Sequence, residues 1–285
     1  MNETTPFEQA ARAIAEADGL LITAGAGMGV DSGLPDFRGS EGFWNAYPAL
    51  ARARIGFTSI ANPAAFESNP KRAWGFYAHR LQLYRETLPN AGFVILQKLA
   101  EKMAHGAFVF TSNVDGQFQK AGFNPRRVVE AHGSIHHLQC QNGCLGDIWS
   151  AEGFSPVIDE ENCELLSDFP RCPQCGEIAR PNILMFSDWH WLDHRTKVQH
   201  AAMTEWLKKV KRLVVVEIGA GTDIPTVRNF GETLGCTLIR INPREPESDY
   251  ANTIAIKLGG LEALQRIEEG EGRLYQAACR EADSR

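Results

Sequence analysis

Four cysteines stand in two close pairs, Cys140-x3-Cys144 and Cys172-x2-Cys175, with 27 residues between the pairs. Two thiol hooks of this kind are what a tetrahedral zinc site built from four cysteines needs. In "CPQCG" a proline and a glycine turn the backbone so that both sulfurs converge. Zinc closed in by four thiolates is structural, with no open position for catalysis. The alternative, four exposed thiols in a loop, would be oxidisable. Cys163 lies between the pairs and offers a substitute ligand, whereas Cys236, at a strand start, and Cys279, near the tail, stand apart from them.

A second set of residues follows apolar runs. "LLITAGAGMGVDSGLPDFRG" (20–39) begins as a buried strand and ends in Gly25-Ala26-Gly27, with a further glycine at Gly33. Small residues there let the backbone approach a pyrophosphate, and amide N–H groups at the following turn can hold the anion. The spacing departs from GxGxxG, and no acid sits about 20 residues on to hold a ribose hydroxyl. A tight strand-to-helix turn explains the glycines equally well, but it has no need of Asp36-Phe37-Arg38, an acid, a ring and a cation in a row. "TSNVDGQFQKAGF" (111–123) places Asn113 and Asp115 after another strand, where α/β sheets bind ligands. "VEAHGS" (129–134) does the same for His132, whose imidazole is suited to general-base work near neutral pH.

These residues need a scaffold that brings strand ends together. Helical spacing covers residues 7–17, 70–86, 91–104 and 260–269, and buried strands are predicted at 20–24, 106–113, 126–134, 212–221 and 236–242. The alternation predicts an α/β fold: a doubly wound, Rossmann-like parallel sheet with an inserted zinc-ribbon module and a small helical subdomain. The sheet domain is expected to be discontinuous (7–40, 90–137 and 183–275), with a helical insertion at 41–89 and the zinc-binding module at 138–182. A formal charge of −6 and a pI near 5.8 argue against nucleic acid or an anionic membrane as partner. No apolar run approaches the roughly 20 residues that span a bilayer. The N-terminal stretch lacks a secretory or organelle-targeting pattern, so a cytoplasmic protein with reduced thiols is expected.

Taken together, "GAGMGVDSGLPDFRG", "TSNVDGQFQKAG", "EAHGS", the paired cysteines and the late "IN" strand resemble the sirtuins, NAD-dependent protein deacylases, in order and over roughly residues 7–270. The resemblance implies NAD as co-substrate and an acyl-lysine protein as partner. It places Gly25, Ala26, Gly27, Asp36, Phe37, Arg38, Ser112, Gly219, Gly221, Thr222 and Asn242 around NAD, with Asn113 and Asp115 on the nicotinamide ribose and His132 as base. It implies attack of the acyl-lysine amide oxygen on the sugar as nicotinamide leaves, and products of free lysine, nicotinamide and O-acyl-ADP-ribose. The stretch around "NPAAFESNPKRAWGFYAHR" is similar to the branch that removes succinyl, malonyl and glutaryl groups, where a Tyr-x-x-Arg pair holds the acyl carboxylate. Here that pair is Tyr77 and Arg80, three apart on one helix face.

The chain departs from the family at Ser112 (usually Gln), Gly29 (usually Ser), the "IGAGTDIPTVR" turn (usually Gly-Thr-Ser) and "MFSDWHW" (185–191, usually Phe-Gly-Glu). The last segment pairs with the substrate peptide in sirtuins. Its tryptophans and Asp188 are expected to narrow the entrance or repel an acidic acyl chain. Two other functions stay open at this point. One is ADP-ribosyl transfer or NAD hydrolysis at the same site. The other is a non-catalytic NAD-binding or zinc-ribbon interaction module, against which Asn113, Asp115 and His132 together argue.

Overall fold

The computed structural model describes residues 4–36 and 39–283. Helix α1 (Pro6–Glu16) opens on a capping box: the Thr5 hydroxyl accepts from the Glu8 N–H, and the Glu8 carboxylate accepts from the Thr5 N–H. Strand β1 (Gly19–Ala24) is buried along its whole length, as a continuous apolar run requires in the middle of a parallel sheet. Five helices follow: α2 (Gly39–Ala46), α3 (Pro48–Arg52), α4 (Phe57–Ile60), α5 (Pro63–Ser68) and α6 (Pro70–Glu86). Asn69 caps α6 by accepting from the Arg72 N–H, and Pro70 fills the first helical position, where its missing donor costs nothing. Then come α7 (Ala91–Glu101), β2 (Ala107–Thr111), the single-turn α8 (Gln117–Lys120) and β3 (Val128–Glu130).

A second, smaller sheet interrupts the first. Strand β4 (Gly133–Cys140) pairs antiparallel with β5 (Ile148–Ser150) on one side and β8 (Ala179–Ile183) on the other. Between them β6 (Ile158–Asp159) and β7 (Glu164–Leu165) form a short hairpin against α6. The chain returns through α9 (His194–Leu207), β9 (Leu213–Ile218), α10 (Thr226–Glu232), β10 (Thr237–Ile241), β11 (Thr253–Ile256) and α11 (Gly260–Asp283).

The large sheet has the order β11-β10-β9-β1-β2-β3, and every pairing is parallel. From β1 the chain winds outward through β2 and β3, then restarts at β9 on the other side of β1. The winding reverses between β1 and β9, and a crevice opens at the carboxyl ends of strands at such a point.

Alternate residues of these strands face two cores. Leu20, Ile22, Val214 and Val216 pack with Ile14 of α1, Leu96 of α7 and Leu264 and Ile267 of α11. Leu21, Phe108, Phe110 and Val215 face the opposite way, onto Met203 and Trp206 of α9 and Val227 of α10. Each fully buried Leu or Ile contributes about 1.5–3 kcal/mol relative to an exposed one. A third cluster joins the helical insertion to the small sheet through Phe43, Trp74, Phe76, Tyr77, Ile135 and Leu138. Helix α6 is its axis and is buried on most sides. Gly75 meets the 163–164 backbone so closely that a Cβ there would lie 2.2 Å from the Cys163 carbonyl oxygen.

Several sequence expectations shift. The helix expected to reach 104 ends at Glu101, and the one over 260–269 continues to Asp283. The stretch 126–134 splits, with Val128–Glu130 closing the large sheet and Gly133 opening the small one. His132 therefore lies in the turn between two sheets. Among the described residues no helix is long and apolar enough to cross a membrane.

Candidate active site

The loops after β1 and β9 touch backbone to backbone. The Gly27 N–H donates to the Gly219 carbonyl at 3.1 Å, and the Gly25 N–H to the Ile218 carbonyl at 3.0 Å. Gly219 has φ +61°, and a Cβ on it would lie 2.3 Å from the Gly27 Cα. Only glycine allows both that conformation and that approach. The glycines thus have a packing reason of their own. Beside them, a Cβ on Gly221 would meet nothing within 4 Å, so the turn is open toward the cleft.

The cleft at this switch point measures about 810 Å³. Gly25, Ala26, Gly27, Asp36, Ser112, Asn113, Asp115, Gly219, Gly221 and Thr222 all line it, as do His132, Tyr77 and Arg80. Phe37 and Arg38, expected beside the phosphates, lie outside the described residues. Asn242 does not line the cleft. It is 1% exposed; its amide donates to the Ala220 carbonyl, and its carbonyl accepts from the Arg244 and Glu245 N–H groups. It holds the wall from behind and aims Glu245 inward, where Glu245 accepts a hydrogen bond from Thr222.

Asn113 and Asp115 stand just beyond β2. The Asn113 amide donates to the Gly25 carbonyl at 2.9 Å, and its backbone N–H donates to the Thr111 hydroxyl. This side chain therefore ties the β2 end to the glycine loop. Asp115 is 8% exposed and accepts from the Gln117 N–H at 2.9 Å. Burial pushes its carboxyl up to about 6; the Gln117 N–H and the Arg80 cation pull the other way, and Glu130 adds to the rise. His132 reaches the same space from the turn between the sheets. Its Nε2 lies 3.1 Å from the Thr226 hydroxyl at the start of α10. Burial lowers its pKa, which keeps the imidazole neutral near pH 7 and able to accept a proton.

Tyr77 and Arg80 of α6 line the same cleft. Tyr77 is 1% exposed and stacks on Phe66. The Arg80 guanidinium donates to the Tyr84 hydroxyl through Nε (2.9 Å) and Nη2 (2.7 Å) and lies over the Phe76 ring. Tyr84, Thr226 and Glu245 escape a reading of the sequence. Thr226 meets His132 across 94 residues, and no local pattern signals that pairing.

The "MFSDWHW" segment departs from expectation. Met185 and Phe186 line the cleft, but Asp188 does not. The Asp188 side chain is fully buried and holds Arg180 through two 2.8 Å contacts. Its charge is held in an internal pair with Arg180 rather than presented to the cleft, and Trp189 is exposed and does not line the cleft.

The Cys140, Cys144, Cys172 and Cys175 sulfurs all lie within 4.8 Å of one another, with close contacts of 3.6, 3.4 and 3.2 Å. A tetrahedral zinc with Zn–S bonds of about 2.3 Å separates its sulfurs by about 3.8 Å. These four residues fit that ion. Cys163 is not among them: it is buried under α6 in the third cluster, so it substitutes for no ligand.

A fold wound in this way, with a cleft at the β1/β9 crevice and a four-cysteine module beside it, defines a doubly wound α/β protein with its cleft at the switch point of the sheet, and comparison with known proteins narrows it. The sequence model of the Sir2 family matches residues 25–222, and the chain belongs to that family. An NAD-dependent protein deacylase of Thermus thermophilus is 32% identical over 286 residues, covering 94% of this chain and 98% of the relative. One from Pyrococcus furiosus is 32% identical over 180 residues, which span 63% of this chain and only 65% of that relative. A solved Sir2 homologue bound to 2′-O-acetyl ADP ribose superposes with a TM-score of 0.69 at 25% identity, over 96% of this chain and 98% of that one.

The buried carboxyl and the thiol cluster each lend themselves to measurement. In the folded chain Asp115 binds its proton more tightly than an unfolded aspartate, so its ionisation opposes folding once the pH passes the unfolded value of 3.8, and the full penalty applies above about 6. Asp115→Asn keeps the acceptor for Gln117 and removes the charge. Urea unfolding should show it more stable than the parent by up to about 3 kcal/mol at pH 8, with the gain vanishing near pH 4, while activity falls. Metal analysis should find one zinc per chain. Cys172→Ser should lose it and lower the melting temperature, because metal binding and folding of the module are coupled.

Proposed function

We propose that this chain is an NAD-dependent protein lysine deacylase, which releases nicotinamide and leaves the acyl group on ADP-ribose. The single observation that carries the reading is the convergence of His132, Asn113 and Asp115 on one cleft floored by the Gly25–Gly27 and Gly219–Gly221 turns. The curated relatives that bear the deacylase name support it.

The glycine cradle suits a pyrophosphate, which needs backbone approach and amide donors. NAD supplies a sugar carbon that becomes electrophilic as nicotinamide departs. The chain's own groups do the rest. Asn113, fixed to Gly25, and Asp115, fixed to Gln117, position the ribose. His132, neutral and held at Thr226, takes the proton of a ribose hydroxyl. Such a base is worth about 10²–10⁴-fold, and positioning supplies much of the remaining acceleration. The protein partner lays its acyl-lysine between α6 and the 184–186 segment. Four clustered thiols kept ready for a metal suit the reducing cytoplasm, where we place the protein.

Incubation with NAD and separate acyl-lysine peptides tests the reading. O-acyl-ADP-ribose supports it; modified protein indicates ADP-ribosyl transfer instead, and plain ADP-ribose indicates hydrolysis. His132→Ala should lower deacylation by at least about 100-fold while NAD still binds by calorimetry. Full activity in that variant removes the histidine from the mechanism.

The same cleft sets an acyl preference. Arg80, with Tyr77 beside it, offers a carboxylate-bearing acyl group a charge-assisted hydrogen bond worth about 1.5–3 kcal/mol. Desuccinylation should exceed deacetylation in kcat/KM by about ten- to a hundredfold. Arg80→Met should remove most of that ratio and spare deacetylation; unchanged selectivity would make the pair a part of the helix packing only.

A further inference from the structure

Trp189 is 91% exposed, although an indole of that size is ordinarily well covered. The turn that presents it is held from both sides. On one side the Asp188 carboxylate accepts from two Arg180 nitrogens and from the His190 N–H. On the other, the Gln139 amide donates to the His190 carbonyl at 2.8 Å, and the Gln139 carbonyl accepts from the Leu192 N–H at 3.1 Å. The Arg180, Asp188 and Gln139 side chains are fully buried. A buried ion pair seldom adds net stability, but it does fix geometry. Ser187 adds a left-handed backbone conformation, φ 55°, at the point where the turn leaves the cleft wall. A rigid framework therefore holds one large aromatic surface in water.

That surface stands three residues beyond the cleft wall. Phe186 lines the cleft and is anchored by its N–H to the Ala61 carbonyl. Trp189 is three residues further, so its Cα lies within about 11 Å of Phe186. An extended peptide advances about 3.3 Å per residue. A peptide with its lysine in the cleft would bring a residue within about four of that lysine to the indole.

We infer that Trp189 is a docking platform for the flank of the acylated protein substrate, stacking a flat side chain, arginine or aromatic, that lies a few residues from the modified lysine. The indole is suited to this because it presents a large face with little conformational freedom to lose. A guanidinium over tryptophan adds cation–π attraction, and the chain's formal charge of −6 favours a basic flank. The inference rests on the deacylase reading above.

The test uses acyl-lysine peptides in a glycine–serine background, with Arg, Tyr, Ala or Glu placed singly at each of the four positions on either side of the lysine. At one or two positions Arg and Tyr should lower KM about three- to tenfold relative to Ala, with kcat within about twofold. Trp189→Ala should erase that difference, and Trp189→Phe should retain part of it. A single-residue acyl-lysine ester, which has no flank, should be turned over equally by the parent and by Trp189→Ala; that equality also shows that the variant folds. The inference is overturned if the parent has no flank preference, or if the preference survives in Trp189→Ala. Failure of the deacylase reading is seen separately, as no O-acyl-ADP-ribose from any peptide or from the ester.

Discussion

Two loops from neighbouring parallel strands meet here with no side chain between them, and the rest of the cleft depends on that contact. The Gly27–Gly219 approach brings the ends of β1 and β9 together at the reversal of the sheet. Asn113 then reaches Gly25 from β2, and Asn242 secures Ala220 from the end of β10. Each of these bonds has its partner in place only because the glycine contact sets the spacing. The joint that sets this spacing is also part of the cleft wall.

Charge burial follows a pattern across the molecule. Arg240 on β10 faces Glu217 on β9 in register and is also held by Glu232; both members of the cross-strand pair are about 1% exposed. The Arg180 and Asp188 side chains are fully buried at the edge of the small sheet. Both pairs are two-point contacts, though the buried Arg180 Nε has no hydrogen-bond partner, and such a pair fixes position more than it adds stability. Asp115 differs. It carries a raised pKa in the cleft, as perturbed groups at functional sites do. An unfavourable carboxyl charge thus sits in the cleft, whereas Glu217 and Asp188 are paired with arginines inside the framework.

Much of this is readable from the residues alone. Five of the six strands of the large sheet stand out as apolar runs, all but the short edge strand β11, and the cysteine spacing brings four sulfurs together as expected. What escapes has physical causes. Helix α9 buries Thr196, Met203 and Trp206 but carries few other apolar residues, so its period is faint. Strand β8 reads "ARPNI", polar in composition, yet it is buried throughout because Arg180 and Asn182 find partners there. Asp188 reads as a charge at the cleft mouth because the arginine that hides it sits on a strand eight residues earlier. Thr226 meets His132 only through the fold.

The neck of the small sheet has a consequence for how this protein can vary. Strands β4 and β8 pair antiparallel, and Gly133 lies directly opposite Ile183. The approach is so close that a Cβ on Gly133 would lie 2.1 Å from the Asn182 carbonyl oxygen. The chain thus leaves the large sheet and comes back at almost one point, immediately after His132 and immediately before Leu184. Everything between forms an appendage on a closed stem. Changes in its exposed turns, outside Cys144, Cys172, Cys175 and the 163–165 stretch packed on α6, would alter that appendage without moving the two residues that flank the stem. A lineage could vary those turns, and with them the outer face shown to other proteins, while the stem keeps His132 and Leu184 in place.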